Sequence, residues 1–160
     1  MSPAHRPDGR RSPEDDRPPQ EDAPHAPEAP RRLPDDVVAL LRGPNPCFVA
    51  TVMPDGSPQT TETWVDTDGT HVVINTVEGF QKVRNLRRDP RISVAVAEAG
   101  RPSRYVAVRG RVVDITPDGA TEHIEHLSRR YLGGPYPWFG GREQTRLILR
   151  IVPTALHRQG

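Results

Sequence analysis

Short runs of β-branched and apolar residues, separated by turn residues, constrain the fold of this chain more than any other feature. Two tight turns, Pro54-Asp55-Gly56-Ser57 and Asp66-Thr67-Asp68-Gly69, join the first runs as in β-hairpins. Six strands are predicted in this way, over 47–53, 59–65, 71–75, 92–96, 105–115 and 146–152. Such closely spaced strands, with two or three flanking helices, predict a mostly β, α+β fold built on a six-stranded antiparallel barrel.

Helix signals interrupt these strands. Pro34 and the apolar stripe after it predict a helix that begins the folded domain and ends at Gly43-Pro44. Thr116-Pro117-Asp118 is typical of a helix start, and Gly133-Gly134 is typical of the end of the same helix. Within the long fifth strand, Gly110 indicates a bulge or a bend.

The segment between the third and fourth strands carries the clearest functional signal. Thr76 is predicted to cap a short basic helix that ends at Asp89-Pro90. Lys82, the only lysine of the chain, lies near the start of this helix. Free amide groups at a helix start attract phosphate, so the segment predicts an anion site. The alternative is that Lys82 and the arginines after it only form a solvated face.

Residues 1–32 differ in composition from the rest of the chain. Prolines recur there among charges of both signs, with almost no large apolar side chain. Such a segment does not bury enough apolar surface to offset its ordering entropy, so we predict a disordered, proline-rich tail. The folded domain is expected to span 33–160.

Charge and composition exclude several classes of protein. The net charge is +1, which lacks the excess of cations typical of a nucleic-acid-binding protein. No apolar run has the length of a membrane span or of a signal peptide. The single cysteine, Cys47, has no partner for an internal disulfide and lies in an apolar run, as a small core residue does. These features predict a cytoplasmic protein with neither a nucleic-acid nor a membrane partner.

The second predicted strand is unusually polar, because residues 59–63 read Gln-Thr-Thr-Glu-Thr. Burial of both faces of such a strand would be costly. The strand is therefore either an exposed edge strand or the polar wall of a groove for a planar ligand. Trp64 follows it and is either a core aromatic, which the sequence alone favours, or a lid over a ring.

No motif identifies a metal site or a catalytic residue. His123 and His126 lie three residues apart on a predicted helix, but the carboxylates of a metal-binding motif do not accompany them. The motifs GxSxG, GxGxxG and GxxxxGK[ST] do not occur. No metal is therefore predicted, and the catalytic residues stay unassigned.

The order of these segments resembles a known superfamily. Between 33 and 160 the chain contains "SPQTTETWVDTDG", "HVVINT", "EGFQKVRNLRRDPRISVAV", "YVAVRGRV" and a helix that ends in "YLGG". This pattern resembles the pyridoxamine 5'-phosphate oxidase-like superfamily of FMN-binding split β-barrels. Within it, the chain is similar to the flavin/deazaflavin-dependent oxidoreductase branch that uses coenzyme F420. Branches that use FMN share the pattern.

The resemblance implies a cofactor site made by three segments. The strand 59–64 would lie along the flavin-like ring, and Gln81 with Lys82 would match the phosphate-binding pair. The implied cofactor-binding residues are Gln59, Thr60, Thr61, Thr63, Trp64, Asn75, Thr76, Gln81, Lys82, Asn85 and Tyr105. Gln81 stands where the FMN branch commonly has arginine, which favours F420 over FMN. The longer anionic tail of F420 would then leave along a groove lined by Arg84, Arg87 and Arg88.

The resemblance also implies an activity. The protein would be an F420-dependent oxidoreductase that transfers hydride between the deazaflavin and a small organic substrate. It would act as a homodimer with the cofactor at the subunit interface. The alternatives are an FMN-dependent enzyme of the pyridoxamine phosphate oxidase type and a protein that holds a flavin, a deazaflavin or haem without turnover. Solvent, Tyr105, Tyr131 or Tyr136 would supply the proton, and the loop 133–141 is either a flap over the substrate or a packed connection.

Overall fold

The structure, a computed structural model, describes residues 31–160. The predicted disordered tail lies outside the described residues, apart from its last two positions. In chain order the elements are α1 (Asp35–Arg42), β1 (Cys47–Val52), β2 (Pro58–Thr63), β3 (Val65–Thr67), β4 (Val72–Val77), α2 (Gln81–Arg88), β5 (Arg91–Glu98), β6 (Arg101–Thr116), α3 (Ala120–Leu132) and β7 (Arg146–Gln159). In this part of the chain, no helix is long and apolar enough to cross a membrane.

One curled sheet contains all seven of these strands. Its order is β2-β1-β5-β6-β7-β4-β3, and every pair of neighbours is antiparallel. Side chains alternate across it, so that in β5 Ile92, Val94 and Val96 are buried between exposed residues. The helix α1 adds Val37 and Leu41 to the same core. The predicted fold class, an antiparallel split β-barrel with flanking helices, is confirmed.

The sheet has one strand more than the six predicted, because the second predicted strand is divided at Trp64. β2 pairs with β1, whereas β3 pairs with β4. β2 and β3 therefore form opposite edges of the sheet, although only Trp64 separates them in the chain. The chain crosses from one edge to the other at this residue, which brings the two edges together.

The predicted bulge near Gly110 is confirmed. The pairing of β6 with β7 shifts register between Arg109 and Gly110. A Cβ atom on Gly110 would lie 2.6 Å from the carbonyl oxygen of Val152 and 2.8 Å from the side chain of Ile151. The two strands approach this closely only because residue 110 has no side chain.

The predicted start of the basic helix is wrong. Thr76 does not cap α2 but is buried within β4, which pairs with β7. A turn with Gly79 at φ 85° follows the strand, and α2 begins at Gln81 after Phe80 in the N-cap position. The reason is that hydrogen-bonded pairing with β7 extends β4 to Val77, two residues beyond the end predicted from the local sequence.

The predicted start of α3 is also too early. Gly119, at φ 72°, occupies the N-cap position, and the Thr116 hydroxyl instead accepts a hydrogen bond from the amide of Asp118 at 3.2 Å. That bond stabilises a turn before the helix. The predicted end is confirmed, because Gly133 caps the helix at φ 77°, in the left-handed conformation that favours glycine.

Candidate functional site

A cavity of about 380 Å³ lies where the two edges of the sheet meet. The crossing residue Trp64 forms part of its wall. The full lining is Glu62, Thr63, Trp64, Asn75, Thr76, Val77, Phe80, Lys82, Ile124, Tyr136, Phe139 and Arg146. These residues come from β2, β4, the start of α2, α3, the loop after α3 and the first residue of β7.

Lys82 is the second residue of α2 and is only 7% exposed. Its ammonium nitrogen lies 5.6 Å from the centre of the Phe80 ring. No carboxylate of residues 31–160 forms an ion pair with it. Burial, and then the nearby charge of Arg146, lower the pKa of Lys82. The solvated-face alternative for this lysine is therefore wrong.

Arg146 is a second buried cation, and the sequence analysis missed it. It is 9% exposed at the start of β7. Its Nε donates to Asn75 Oδ1 at 2.8 Å, and its Nη1 donates to the Tyr136 hydroxyl at 3.2 Å. Burial lowers the pKa of Arg146, and the contacts with Tyr136 act in the opposite direction. No carboxylate pairs with it in the described part of the chain. The cavity thus holds two cations without counterions.

Thr76 adds a polar group without a partner. Its hydroxyl oxygen is buried and forms no hydrogen bond with residues 31–160. Lys82 lines the same cavity, at the first turn of α2, where backbone amides lack helical partners. A helix start, a buried ammonium and a buried guanidinium together match the needs of a phosphate group.

Aromatic side chains form a further part of the cavity wall. Trp64 is half-buried and stacks on Tyr131, with ring centres 5.1 Å apart and planes 9° apart. The ring of Tyr136 meets Trp64 edge-on at 6.0 Å. Phe139 is 75% exposed at the mouth of the cavity and packs edge-on against Tyr136. The arrangement gives a flat apolar surface next to an anion site, which suits a planar ring with a phosphate on its side chain.

The tyrosines differ in what their hydroxyl groups do. Tyr131 donates to the Asn45 carbonyl at 3.0 Å and accepts from the Val65 amide at 3.3 Å. Burial raises the pKa of Tyr131 to about 12, so its hydroxyl is structural. Tyr105 packs near His157 and does not line the cavity. Of the three tyrosines considered as proton donors, only Tyr136 lies in the cavity.

Five of the residues implied by the resemblance line the cavity, namely Thr63, Trp64, Asn75, Thr76 and Lys82. The other implied residues do not. Gln59, Gln81 and Asn85 instead belong to a row of hydrogen bonds that joins α2 to β1 and β2. Gln81 donates to Asn85 at 2.8 Å, and Asn85 donates to Thr51 at 2.9 Å. Thr51 in turn donates to Gln59 at 3.1 Å. The remaining residues are Thr60, which is exposed, Thr61, whose buried hydroxyl has no partner within 31–160, and Tyr105.

The arginines of α2 are not among the residues that line the cavity, and their place along an exit groove for the F420 tail stays a prediction. Arg84 bonds to the Gly79 carbonyl and to Gln81, at 2.6 Å for the latter. Arg87 forms two bonds with Glu78, at 2.5 and 2.6 Å. Arg88 donates to a backbone carbonyl of β1. In the structure, these three side chains therefore hold the loop before α2 and the end of β1 against the helix.

Neither a metal site nor a reactive cysteine is found in the part of the chain that the structure describes. No three His, Cys, Asp or Glu side chains converge there. Cys47 is fully buried, and burial, with a smaller effect of Glu62, raises the pKa of its thiol to about 12. Its interpretation as a small core residue is confirmed.

Comparison with known proteins identifies the fold independently. The family model described as pyridoxamine 5'-phosphate oxidase matches residues 33–158. No curated protein matches the chain in sequence. The family match covers the whole barrel and both segments that carry the buried cations.

Solved structures extend this comparison. A structure named "F420 Reductase" is 34% identical, with a TM-score of 0.69, over 78% of this chain and 98% of that one. The conserved hypothetical protein Rv2991 from Mycobacterium tuberculosis is 23% identical, with a TM-score of 0.63, over 82% and 88%. General Stress Protein 26 from Bacillus anthracis is 15% identical, with a TM-score of 0.58, over 76% and 88%. The last two show similarity of fold alone.

Proposed function

Because the chain belongs to the pyridoxamine 5'-phosphate oxidase family, we propose that it is an oxidoreductase that uses the deazaflavin coenzyme F420. Its reaction is hydride transfer between that coenzyme and a small organic substrate. The similarity to the structure named F420 reductase supports this choice, since it covers almost all of that chain.

One observation carries the proposal: Lys82 and Arg146 lie in the same cavity, both nearly buried and both without a carboxylate partner among residues 31–160. Unpaired buried charges are costly, so a protein that keeps two of them in one cavity is built to bind an anion there. In this proposal the cofactor phosphate contacts Lys82 and Arg146.

The remaining residues of the cavity orient the ring and exclude water. Trp64, held by its stack on Tyr131, forms a rigid apolar wall, and Phe139 covers the mouth. When bound, the reduced deazaflavin supplies a hydride from its C5 atom. The protein contributes the fixed position of the ring and a site of low polarity, in which fixed charges act more strongly than in water.

F420 and FMN place different demands on this site. The F420 phosphate is a diester with one negative charge, whereas the terminal phosphate of FMN carries close to two. Gln81 replaces the usual cation of the FMN branch, and its side chain is engaged by Arg84 and Asn85. This favours F420. The two buried cations nevertheless match the charge of FMN, so an FMN-dependent enzyme is the second candidate.

We further propose that the protein is a cytoplasmic homodimer with the cofactor at the subunit interface. Phe48 is 48% exposed on the outer face of the sheet. Ala95 lies opposite Phe48, and Ala107 lies opposite Ala95, so the strip is apolar across three strands. A second copy of the chain would cover this strip and complete the open side of the cofactor site.

Separate titrations of the purified protein with F420 and with FMN, followed by fluorescence quenching, test the choice of cofactor. We expect F420 to bind more tightly. An equal or lower Kd for FMN, or FMN that co-purifies at full occupancy, would reverse the choice. Oxidation of reduced F420 with an added acceptor, followed by absorbance, distinguishes an enzyme from a protein that only holds the cofactor.

A further inference from the structure

We infer that His123 is a positioning residue for the anion site. Its neutral imidazole fixes the side-chain amide of Asn75, and that amide aims Arg146 into the cavity. This inference rests on the proposed function, because it assigns Arg146 to the cofactor phosphate. His123 does not itself line the cavity, so it acts only through Asn75.

Asn75 is the central link in this chain of contacts. It is 4% exposed, and its Oδ1 accepts a hydrogen bond from Arg146 Nε at 2.8 Å. Its Nδ2 donates to the Ala120 carbonyl at 2.8 Å and lies 3.3 Å from His123 Nδ1. A guanidinium group only donates hydrogen bonds, so the Asn75 oxygen must face Arg146. Its NH₂ group therefore faces His123.

The orientation of Asn75 decides the tautomer of His123. An NH₂ group donates, so His123 Nδ1 must be the unprotonated acceptor. The single proton of the neutral ring then lies on Nε2, which is 3.4 Å from Asp66 Oδ2. That distance is longer than a standard hydrogen bond. The electrostatic interaction is nevertheless attractive, because an N–H group faces a carboxylate.

Asp66 is held in turn by Arg130 of α3 and by the backbone amide of Thr67. Arg130 Nη2 lies 3.1 Å from Asp66 Oδ1, and the Thr67 amide donates to the same oxygen at 2.9 Å. Burial alone would raise the pKa of Asp66, but its bonds with His123 and Thr67 and the charge of Arg130 lower it. Asp66 thus stays ionised opposite the Nε2 proton.

A second proton on His123 would break this chain. Nδ1–H would then oppose the NH₂ group of Asn75, and a rotated amide would turn its NH₂ group towards Arg146 instead. The charged or titratable groups around His123 are Asp66 on β3, Arg130 and His126 on α3, and Arg146 behind Asn75. The chain of contacts therefore depends on Nδ1 of His123 remaining a hydrogen-bond acceptor.

Two substitutions separate positioning from packing. His123→Asn keeps an acceptor near the position of Nδ1, whereas His123→Leu keeps the volume and removes the acceptor. Fluorescence titration with F420 at about pH 7.5 is expected to show affinity about three- to tenfold weaker for His123→Leu. His123→Asn is expected to stay within about twofold of wild type, because the acceptor is retained. His157→Asn, at an exposed position outside the cavity, is the control and should leave the affinity for F420 unchanged.

Wild-type affinity for His123→Leu, or an equal loss in both variants, would overturn the inference. Nitrogen-15 NMR of the imidazole in the cofactor-free protein tests it without any cofactor. A ring protonated on Nε2 at neutral pH supports it, and a ring protonated on Nδ1 overturns it. If the wild type binds neither F420 nor FMN, the proposed function fails, while the NMR result decides the hydrogen-bond chain separately.

Discussion

Replacing Lys82 with methionine is expected to stabilise the cofactor-free protein and to weaken cofactor binding at the same time. Lys82 is 7% exposed, its ammonium lies over the Phe80 ring without an ion pair among residues 31–160, and it faces the like charge of Arg146. Methionine has a similar length and no charge. The substitution therefore removes the cost of burying an unpaired cation without leaving a large void.

The expected gain in the free energy of unfolding is about 1–2 kcal/mol. Replacing buried charges with apolar groups of similar volume stabilises proteins by up to about 1–4 kcal/mol. Loss of the cation–π contact with the Phe80 ring reduces this gain by about 0.5–1 kcal/mol. For a domain of this size, the net gain raises Tm by roughly 3–10 °C.

The gain should also depend on pH. Burial and then Arg146 lower the pKa of Lys82 from its usual 10.5. As pH rises, the folded state releases the lysine proton before the unfolded state does, so the wild type regains stability between the two pKa values. The advantage of Lys82→Met is therefore full at neutral pH and shrinks as pH approaches 10.5.

Calorimetry of the cofactor-free proteins and fluorescence titration with F420 test the two effects. Loss of one charge-assisted hydrogen bond, about 1.5–3 kcal/mol, raises Kd about ten- to a hundredfold. Arg111→Met is the control, because it removes an exposed cation on β6, outside the cavity, and should change Tm and Kd little. A lower Tm for Lys82→Met, or an unchanged Kd, would refute the assignment of Lys82 as a phosphate anchor.

Three further outcomes are expected. Gly110→Ala should lower the free energy of unfolding in urea by about 1–3 kcal/mol through overpacking, whereas Gly134→Ala, with open space around it, should have little effect. Asp66→Asn should be less stable than wild type at pH 7, and the difference in free energy of unfolding should narrow as pH falls below about 4. The reason is that a carboxyl group with a lowered pKa contributes its full stabilisation only above the pKa of the unfolded state. Denaturation at both pH values measures this difference, and a constant difference would contradict the prediction. Phe48→Asp should convert the proposed dimer to a monomer in light scattering, and a wild type that is already monomeric would contradict the proposed interface.

Most of the fold could be predicted because strand formation in this chain is a local property. The alternation of 92–96 and the β-branched runs elsewhere mark strands without reference to their neighbours. The predicted strand bounds are wrong where pairing with a strand that is distant in the sequence determines how far a strand extends. Pairing with β7 extends β4 beyond Thr76, and the crossing at Trp64 divides the predicted strand 59–65 between two edges of the sheet.

The candidate site was predictable only in part, for a related reason. Lys82 is recognisable as the sole lysine at the start of a helix after a strand. Arg146 has no such signal, because an arginine at the start of an apolar strand is usually an exposed end charge. Only the pairing of β7 with β4 brings it to Asn75. The choice among the tyrosines likewise depends on tertiary contacts, which engage Tyr131 and leave Tyr136 in the cavity.

The crossing at Trp64 explains why the polar groups collect at this point of the barrel. Every residue of β4 is buried, and a strand buried in this way is normally apolar throughout. Asn75 and Thr76 depart from that pattern where the two sheet edges meet, and both residues belong to the cavity lining there. Two unpaired cations in one cavity are a large cost for a domain whose net stability is on the order of 5–15 kcal/mol. An anionic ligand would offset the cost of both cations at once, since it supplies the missing acceptors to Lys82 and Arg146 together.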